Sequence, residues 1–413
     1  MNIDEITNKT LKIYEKLSEE IIIHDKSNHT CSLESDFLID SILSYEKDNE
    51  EVNTSTRIEE YRRAFVEINS QKKKSKLSDL SKKTLDLYRK NLNKKKNTST
   101  KFKVITTINY KSNQKKPKSR SIEGCFINFK HQSTSKKFKS RQYLLDKNPI
   151  EPNFRDSDDY TYAVITLTAF NGDTALNKAL DSLSIYRAFF NIVISKKTQF
   201  ATYSLSKKYP SNSALRVGQF HSLHNHDFSP AQGGNLWHES DHKKALSAKV
   251  NIASIDNLLD KYLSMFRNHC LKDHLKRVLI TYIDALDSNN MEFRFIKLWS
   301  AFEILLKTDS TNELAKKISS FFSESSLMKE RILSSREARN RAVHAGVNGN
   351  EEFVLKCFEL VNLFDVCFDF YLKNPFNFKN TKEFSDFTSV TKNLDEINNK
   401  IKYLNLSLKY IVE

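Results

Sequence analysis

The chain has 413 residues, 39% of them hydrophobic and 28% charged, with a formal net charge of +15. That length admits two or three packed domains, and only 7 Gly and 6 Pro predict sparse turns and much helix. No apolar run approaches the roughly 20 residues of a membrane span. The five scattered cysteines, with no CxxC pair, read as reduced, mostly buried thiols of a cytosolic protein.

The positive charge is concentrated. Residues 71–140 hold 22 Lys/Arg against 3 Asp/Glu, a local +19, which leaves −4 for the rest of the chain. Such a segment attracts a polyanion through counterion release. A solvated Lys/Asn-rich surface accounts for it equally well, because lysine runs alone are weak motifs.

In chain order, the opening "MNIDEITNKTLKIYEK" is acidic and amphipathic and lacks the basic and apolar regions of a signal peptide. Ile3, Ile6, Leu11, Ile13, Tyr14, Leu17 and Ile21 recur near helical spacing, so a helix is predicted through "IDEITNKTLKIYEKLSEEIII". "IEEYRRAFVEINS" and "LSDLSKKTLDLYRKNL" predict two more, and "NKKKNTST" reads as a linker. The period then changes. "KFKVITTINY", "GCFINFK" and "YTYAVITLTAF" read as strands. A helix follows from "GDTALNKALDSL", with Asp173 or Thr174 as its N-cap. "FATYSLS" and "ALRVGQFH" are further strand candidates, and "NHDFSPAQGGNLWHESDH", 225–242, reads as a polar loop. From about residue 252 the sequence predicts helices to the end, separated by short Ser/Asn/Asp joints, which is the pattern of an antiparallel bundle. The fold class expected is α+β, with a helical region at 1–100, a strand-rich mixed domain at 101–250 and an all-α bundle at 251–413.

The most specific motif is "REARNRAVHAG", 336–346. On a helix, Asn340 and His344 are one turn apart on one face, and Arg339 lies about 100° around the axis. Gly346 is a good residue to end the helix. His344 then falls in the last turn, where the helix dipole favours imidazolium and a nearby Arg opposes it. RNA cleavage without a metal needs a base for the 2′-hydroxyl, an acid for the leaving 5′-oxygen and a cation for the developing charge. One His and one Arg do not fill three roles, whereas two copies across a two-fold axis do. The bare R-x4-H spacing arises by chance about 0.4 times from 16 Arg and 11 His in this length, and requiring Asn after Arg lowers that to about 0.04. Arg216 to His221 fits the bare spacing too, and "RNHCLKDH" (Arg267, Asn268, His274) fits a looser one.

"RNRAVHAG", late in a helical region and preceded by "FRFIKLWSAFEILL", resembles the HEPN superfamily, and most nearly the ApeA-like HEPN proteins of prokaryotic defence systems. The resemblance covers about residues 255–375. It implies a metal-independent endoribonuclease that works as a homodimer, with the motif at the dimer interface and no cofactor. It further implies His344 as acid/base, Arg339 as phosphate binder, Asn340 as the residue orienting them, and Glu303 as the acidic residue of the earlier helix, the last by a looser match. The expected substrate is RNA (tRNA or mRNA) in an abortive-infection or toxin-like anti-phage setting, with a phage trigger or an inhibitory antitoxin as a further partner, in the cytoplasm and away from membranes. The rival reading is a non-catalytic HEPN module that binds RNA or protein and senses a phage component or scaffolds a complex.

Other clusters compete less well. His221, His224, His226, His238 and His242, with Asp227, Glu239 and Asp241, crowd one stretch, but no HExxH or CxxC frame organises them into a zinc site. Trp299 belongs to an apolar helix face, and Glu303 beside it wants a cationic partner, for which Arg339 is the expected one. Aromatics interleave the basic segment in a way that suits RNA stacking, although Phe126 and Phe129 are expected on a buried strand face.

Overall fold

The computed structural model describes residues 3–23, 29–46, 54–70, 75–96, 99–111, 116–131, 138–198, 212–231, 235–239, 242, 248, 252–345, 350–390 and 393–412. The fold is mixed α+β: N-terminal helices, a six-stranded sheet and a helical C-terminal region. Two compact units divide it. The first comprises Met1–Val104, Thr166–Lys178 and Leu223–Asn235, and the second Ile105–Ile165, Ala179–Ser222 and Leu236–Glu413.

In the first unit, α1 (Ile3–Glu20), α2 (Leu33–Leu43), α3 (Thr54–Asn69) and α4 (Leu77–Lys96) pack into a helical cluster. Its core is Tyr14, Leu17, Ile39, Ile42, Phe65, Leu85 and Tyr88, with further apolar side chains around them. The Tyr14 hydroxyl reaches Thr84 Oγ1 at 2.9 Å and accepts from Asn69 at 2.8 Å, so its burial leaves no polar atom wanting. The predicted first helix stops three residues early. Ile21–Ile23 is a strand, β1, paired antiparallel with β2 (His29–Cys31), as three consecutive β-branched residues favour. The "NKKK" read as linker instead continues α4 to Lys96.

The six-stranded sheet contains β3 (Thr100–Ile108), β4 (Arg120–Ile122), β5 (Cys125–Lys130), β6 (Thr161–Ala169), β7 (Phe220–Asn225) and β8 (Leu236–His238). Its order is β4-β5-β6-β3-β7-β8, with β4–β5 and β7–β8 antiparallel. Alternation fixes the faces of β5. Cys125, Ile127 and Phe129 are buried, whereas Phe126 is 44% exposed, so the expectation of two buried phenylalanines holds for Phe129 alone. The strand candidate at 200–206 lies outside the described residues.

Two helices flank the strand segments in sequence, α5 (Lys139–Asp146) and α6 (Gly172–Thr198). The cap of α6 is Asn171, whose Oδ1 accepts from Thr174 N at 2.9 Å, rather than Asp173 or Thr174; Asn is as good a cap as Asp. On α5 sits Arg141, 1% exposed, with all five of its donors used. Nε and Nη2 grip Asp156 at 2.8 Å each, Nη1 donates to Ile105 O (2.9 Å) and Ser222 Oγ (3.0 Å), and Nη2 also donates to Phe220 O (3.1 Å). A buried guanidinium is tolerated only when paired and saturated in this way.

The rest of the second unit is helical: α7 (Ile252–Arg267), α8 (Lys272–Asp287), α9 (Met291–Leu306), α10 (Thr311–Ser319), α11 (Ser325–Ala345), α12 (Asn350–Lys373), α13 (Thr381–Thr388) and α14 (Leu394–Val412). The sequence "IDNLLDKYLSMFRNHCLKDHLKRVLITYIDAL", 255–286, reads as one helical segment, but it breaks between α7 and α8. His269 stands in the break, its Nδ1 accepting from Leu271 N and its Nε2 donating to Tyr371 O, both at 2.9 Å. α9 is the centre of the bundle and packs on α8, α10, α11 and α12. Its start is capped by Asn290, which accepts from Glu292 N and Phe293 N. Lys307 ends it in the left-handed conformation (φ 53°) that a chain poor in glycine fills with another residue.

Candidate active site

α11 carries the motif, and its first half is firmly held. Ile332 and Ser335 are buried, Arg331 Nη2 pairs with Glu359 Oε1 on α12 at 2.6 Å, and Lys356 of α12 donates to Ser334 Oγ and Ser335 Oγ at 3.1 and 3.3 Å. The helix also packs on α10 and α9. From this anchored part it runs on to Ala345. Arg339, Asn340 and His344 therefore all lie on the last two turns, with 340 and 344 one turn apart. The helix end at Ala345 sets position 344 in the terminal turn, where the dipole favours a cation. The side chains at 339, 340 and 344, the expected Glu303–Arg339 pairing and Gly346 lie outside what the structure describes.

Glu303 comes from α9, the helix under α11. It is half-buried, and its Oε1 accepts from the indole Nε1 of Trp299 at 3.0 Å. Trp299 is 1% exposed beside Phe295, which is the core role expected of it. Apolar packing pins the rest of α9: Phe302 meets Phe364 edge-on at 5.6 Å, and Phe364 stacks on Tyr282 at 4.1 Å. The carboxylate thus projects from a helix that has little freedom to shift.

The competing matches are used internally. Arg216 Nη1 donates to Asn289 Oδ1 at 3.0 Å, while His221 is engaged elsewhere. Arg267 and Asn268 fall at the end of α7, and His274 on α8 donates through Nε2 to Leu305 O at 3.2 Å.

The polar loop expected of 225–242 holds for the turn that follows β7, whereas Leu236–His238 forms β8, paired with β7. His221 and His224 stand three apart on a strand, hence on opposite faces. Burial pushes the His221 imidazole below its ordinary pKa, against the pull of Glu239. The ring is then neutral near pH 7: Nε2–H donates to Glu239 Oε1 at 2.9 Å, and Nδ1 accepts from the Thr106 hydroxyl at 2.7 Å. Both nitrogens are occupied, which leaves no lone pair for a metal. Among the described residues no group of three or more His, Cys, Asp or Glu is placed to hold a metal ion; Asp241 lies outside them.

The basic segment is partly neutralised by its own neighbours. Arg89 binds Glu46 (2.6 Å), Lys95 binds Glu60 (2.5 Å), and Arg120, buried, binds Asp256 and Asp260 at 2.9 Å each. Lys82 pairs with Asp4 and Lys118 with Asp260 across the surface.

Family models, curated proteins and solved structures give no match to the chain. No helix among the described residues is long and apolar enough to cross a membrane.

Sequence reading missed one polar cluster entirely. The Asp365 carboxyl on α12 is buried, its Oδ2 accepting from Ser195 Oγ at 2.5 Å. One turn on, Asp369 accepts from Tyr262 Oη and from Lys196 Nζ, both at 2.5 Å, and pairs with Lys373 at 2.6 Å. Burial raises the Asp365 pKa to about 7. Asp365 and Asp369 are one helical turn apart in a run of Phe and Leu, the only sequence signal of a carboxyl facing the core.

Proposed function

We propose that the chain is a metal-independent endoribonuclease of HEPN type, with the terminal turns of α11 as its catalytic segment and RNA as its substrate. The observation that carries the reading is the position of the motif. Arg339, Asn340 and His344 fall within two turns at the C-terminal end of one helix, in an all-helical region, on a helix packed against the one that bears Glu303.

In this reading two chains meet with their α11 ends together. One His344 takes the proton of a 2′-hydroxyl as its oxygen attacks the adjacent phosphorus. The bond from phosphorus to the 5′-oxygen breaks, and the other His344, as imidazolium, protonates that oxygen. The products are a 2′,3′-cyclic phosphate and a 5′-hydroxyl, and no oxidant or metal is consumed. The Arg339 guanidinium balances the charge on the phosphoryl oxygens, and Asn340, one turn below His344, orients it. The setting proposed is an anti-phage or toxin-like system, in which a trigger or an inhibitory partner controls the cut.

The test is cleavage of total RNA by the purified protein in EDTA, with the new ends analysed. Discrete fragments ending in cyclic phosphate, lost in His344→Ala, support the reading. RNA that is bound but left intact by a folded dimer makes the chain a binding module instead.

A further inference from the structure

Helix α14 keeps its apolar residues in solvent. Leu394, Ile401, Leu404 and Leu408 are 71%, 51%, 64% and 61% exposed. A 19-residue helix draws most of its stability from burying an apolar face, and among the described residues of α14 almost none of that face is buried.

The spacing of that face is informative. Leu394, Ile397, Ile401, Leu404, Leu408 and Ile411 follow one another at intervals of three, four, three, four and three. Every such position is Leu or Ile, without exception. This is the 3.5-residue period of the a and d positions of a coiled coil, rather than the broader 3.6-period face of a helix lying on a globular core.

The flanks indicate who covers it. The positions beside the seam are Asn398, Lys400, Asn405 and Ser407, with a single charge among them. Helices that recognise a foreign partner carry a charge code there; these carry none and raise no repulsion against themselves. The helix also has an acidic first turn, Asp395 and Glu396, and a basic last turn with Lys409. A reversed copy brings each turn level with its opposite, and two-fold pairing closes on itself.

We propose that α14 is a self-association element, which pairs through its Leu/Ile seam with α14 of a second copy of this chain. The pairing does not rest on the ribonuclease reading, since it is required by the exposed seam whether or not α11 cuts RNA. A second stripe, Tyr403, Leu406 and Tyr410, lies on the other side of the helix. It is outside the seam and its tyrosines keep a polar tip for water.

The experiment measures the mass of the full chain by sedimentation velocity and light scattering across a concentration series. Three proteins are compared: the natural chain, the seam variant Ile401→Lys/Leu404→Lys, and the control Tyr403→Lys/Leu406→Lys. Both substituted sites are solvent-facing, so thermal melts of the body should coincide. The natural chain is expected to self-associate, the control to match it, and the seam variant to dissociate with a constant raised about a hundredfold or more, since two charges would be buried in the seam. A monomeric natural chain overturns the inference, whether or not it floats with anionic phospholipid vesicles. So does a seam variant that associates as tightly as the natural chain and reaches the same mass, or a control that is weakened equally. RNA cleavage measured on the same three proteins separates the readings: loss of self-association through α14 is decided by mass, whatever the cleavage result.

Discussion

The indole of Trp299 and the carboxylate of Glu303 are joined by a 3.0 Å hydrogen bond one turn apart on α9, the one buried, the other half-buried on the helix beneath α11. The bond holds the carboxylate in one orientation. Trp299→Phe removes the donor and part of the ring, and should cost about 1–3 kcal/mol. Glu303→Gln keeps an acceptor for the indole and discards the charge, so it should alter stability by less than about 1 kcal/mol. Urea titrations of both variants check the order, and RNA cleavage by Glu303→Gln tells whether the charge matters to chemistry.

For the motif itself, His344→Ala should abolish RNA cleavage and cellular toxicity. A change in the last turn of α11 should shift stability by no more than roughly 1 kcal/mol. Arg339→Ala should also inactivate, and Asn340→Ala should be intermediate because it orients rather than reacts. Full cleavage by His344→Ala with an unchanged melt would falsify the catalytic assignment.

Asp156→Asn should be among the most damaging single changes in the second unit. It leaves Arg141 buried without its charge partner, and breaking such a pair costs about 3–5 kcal/mol. Arg141→Met with Asp156→Leu together should cost much less than either alone. A double-mutant cycle by denaturant unfolding reads the coupling.

Asp365 makes stability pH-dependent. Burial holds its folded pKa at about 7, above the ordinary 3.8. The folded state then binds the extra proton between these values, so its contribution is full below about pH 4 and is lost as pH rises through about 7, a span of roughly 4 kcal/mol. Asp365→Asn should therefore raise the melting temperature more at pH 8 than at pH 5. Equal shifts at both pH values would mean that Asp365 titrates alike in the folded and unfolded chain.

RNA affinity should fall steeply with salt if the basic segment meets the phosphates. Lys83, Lys90, Lys94, Lys101, Lys116 and Lys130 are exposed. Reversing all six to Glu should weaken binding and flatten the dependence of log K on log salt. Unchanged slope and affinity would place the RNA elsewhere.

Period-based features were legible in the sequence. The 3.6-residue pattern foretold α3, α4 and α9, and alternation with β-branched residues foretold β3, β5 and β6. What period does not encode was missed. β7 was read only through His221, the end of the 214–221 strand candidate, because the histidines beyond look polar; Thr106 and Glu239 satisfy His221 in the interior. The break between α7 and α8 went unread because it is made by His269 bonding to Tyr371, 102 residues away. Of the site, the helix bearing 339, 340 and 344 and the buried Trp299 were readable from local spacing. The Trp299–Glu303 bond was implicit in an i,i+4 step that composition alone does not single out.

Arg141 has a consequence for the order in which the second unit forms. Its acceptors lie 36 residues before it, at Ile105, 15 after it, at Asp156, and 79 and 81 after it, at Phe220 and Ser222. A nascent chain that has emerged only as far as α6 offers the guanidinium part of its cage. Closing the sheet around it before β7 arrives would strand donors out of water. Folding of this region should therefore wait for the last of those partners. Its transition state should show little of the Arg141 network, so that substitutions there speed unfolding far more than they slow folding.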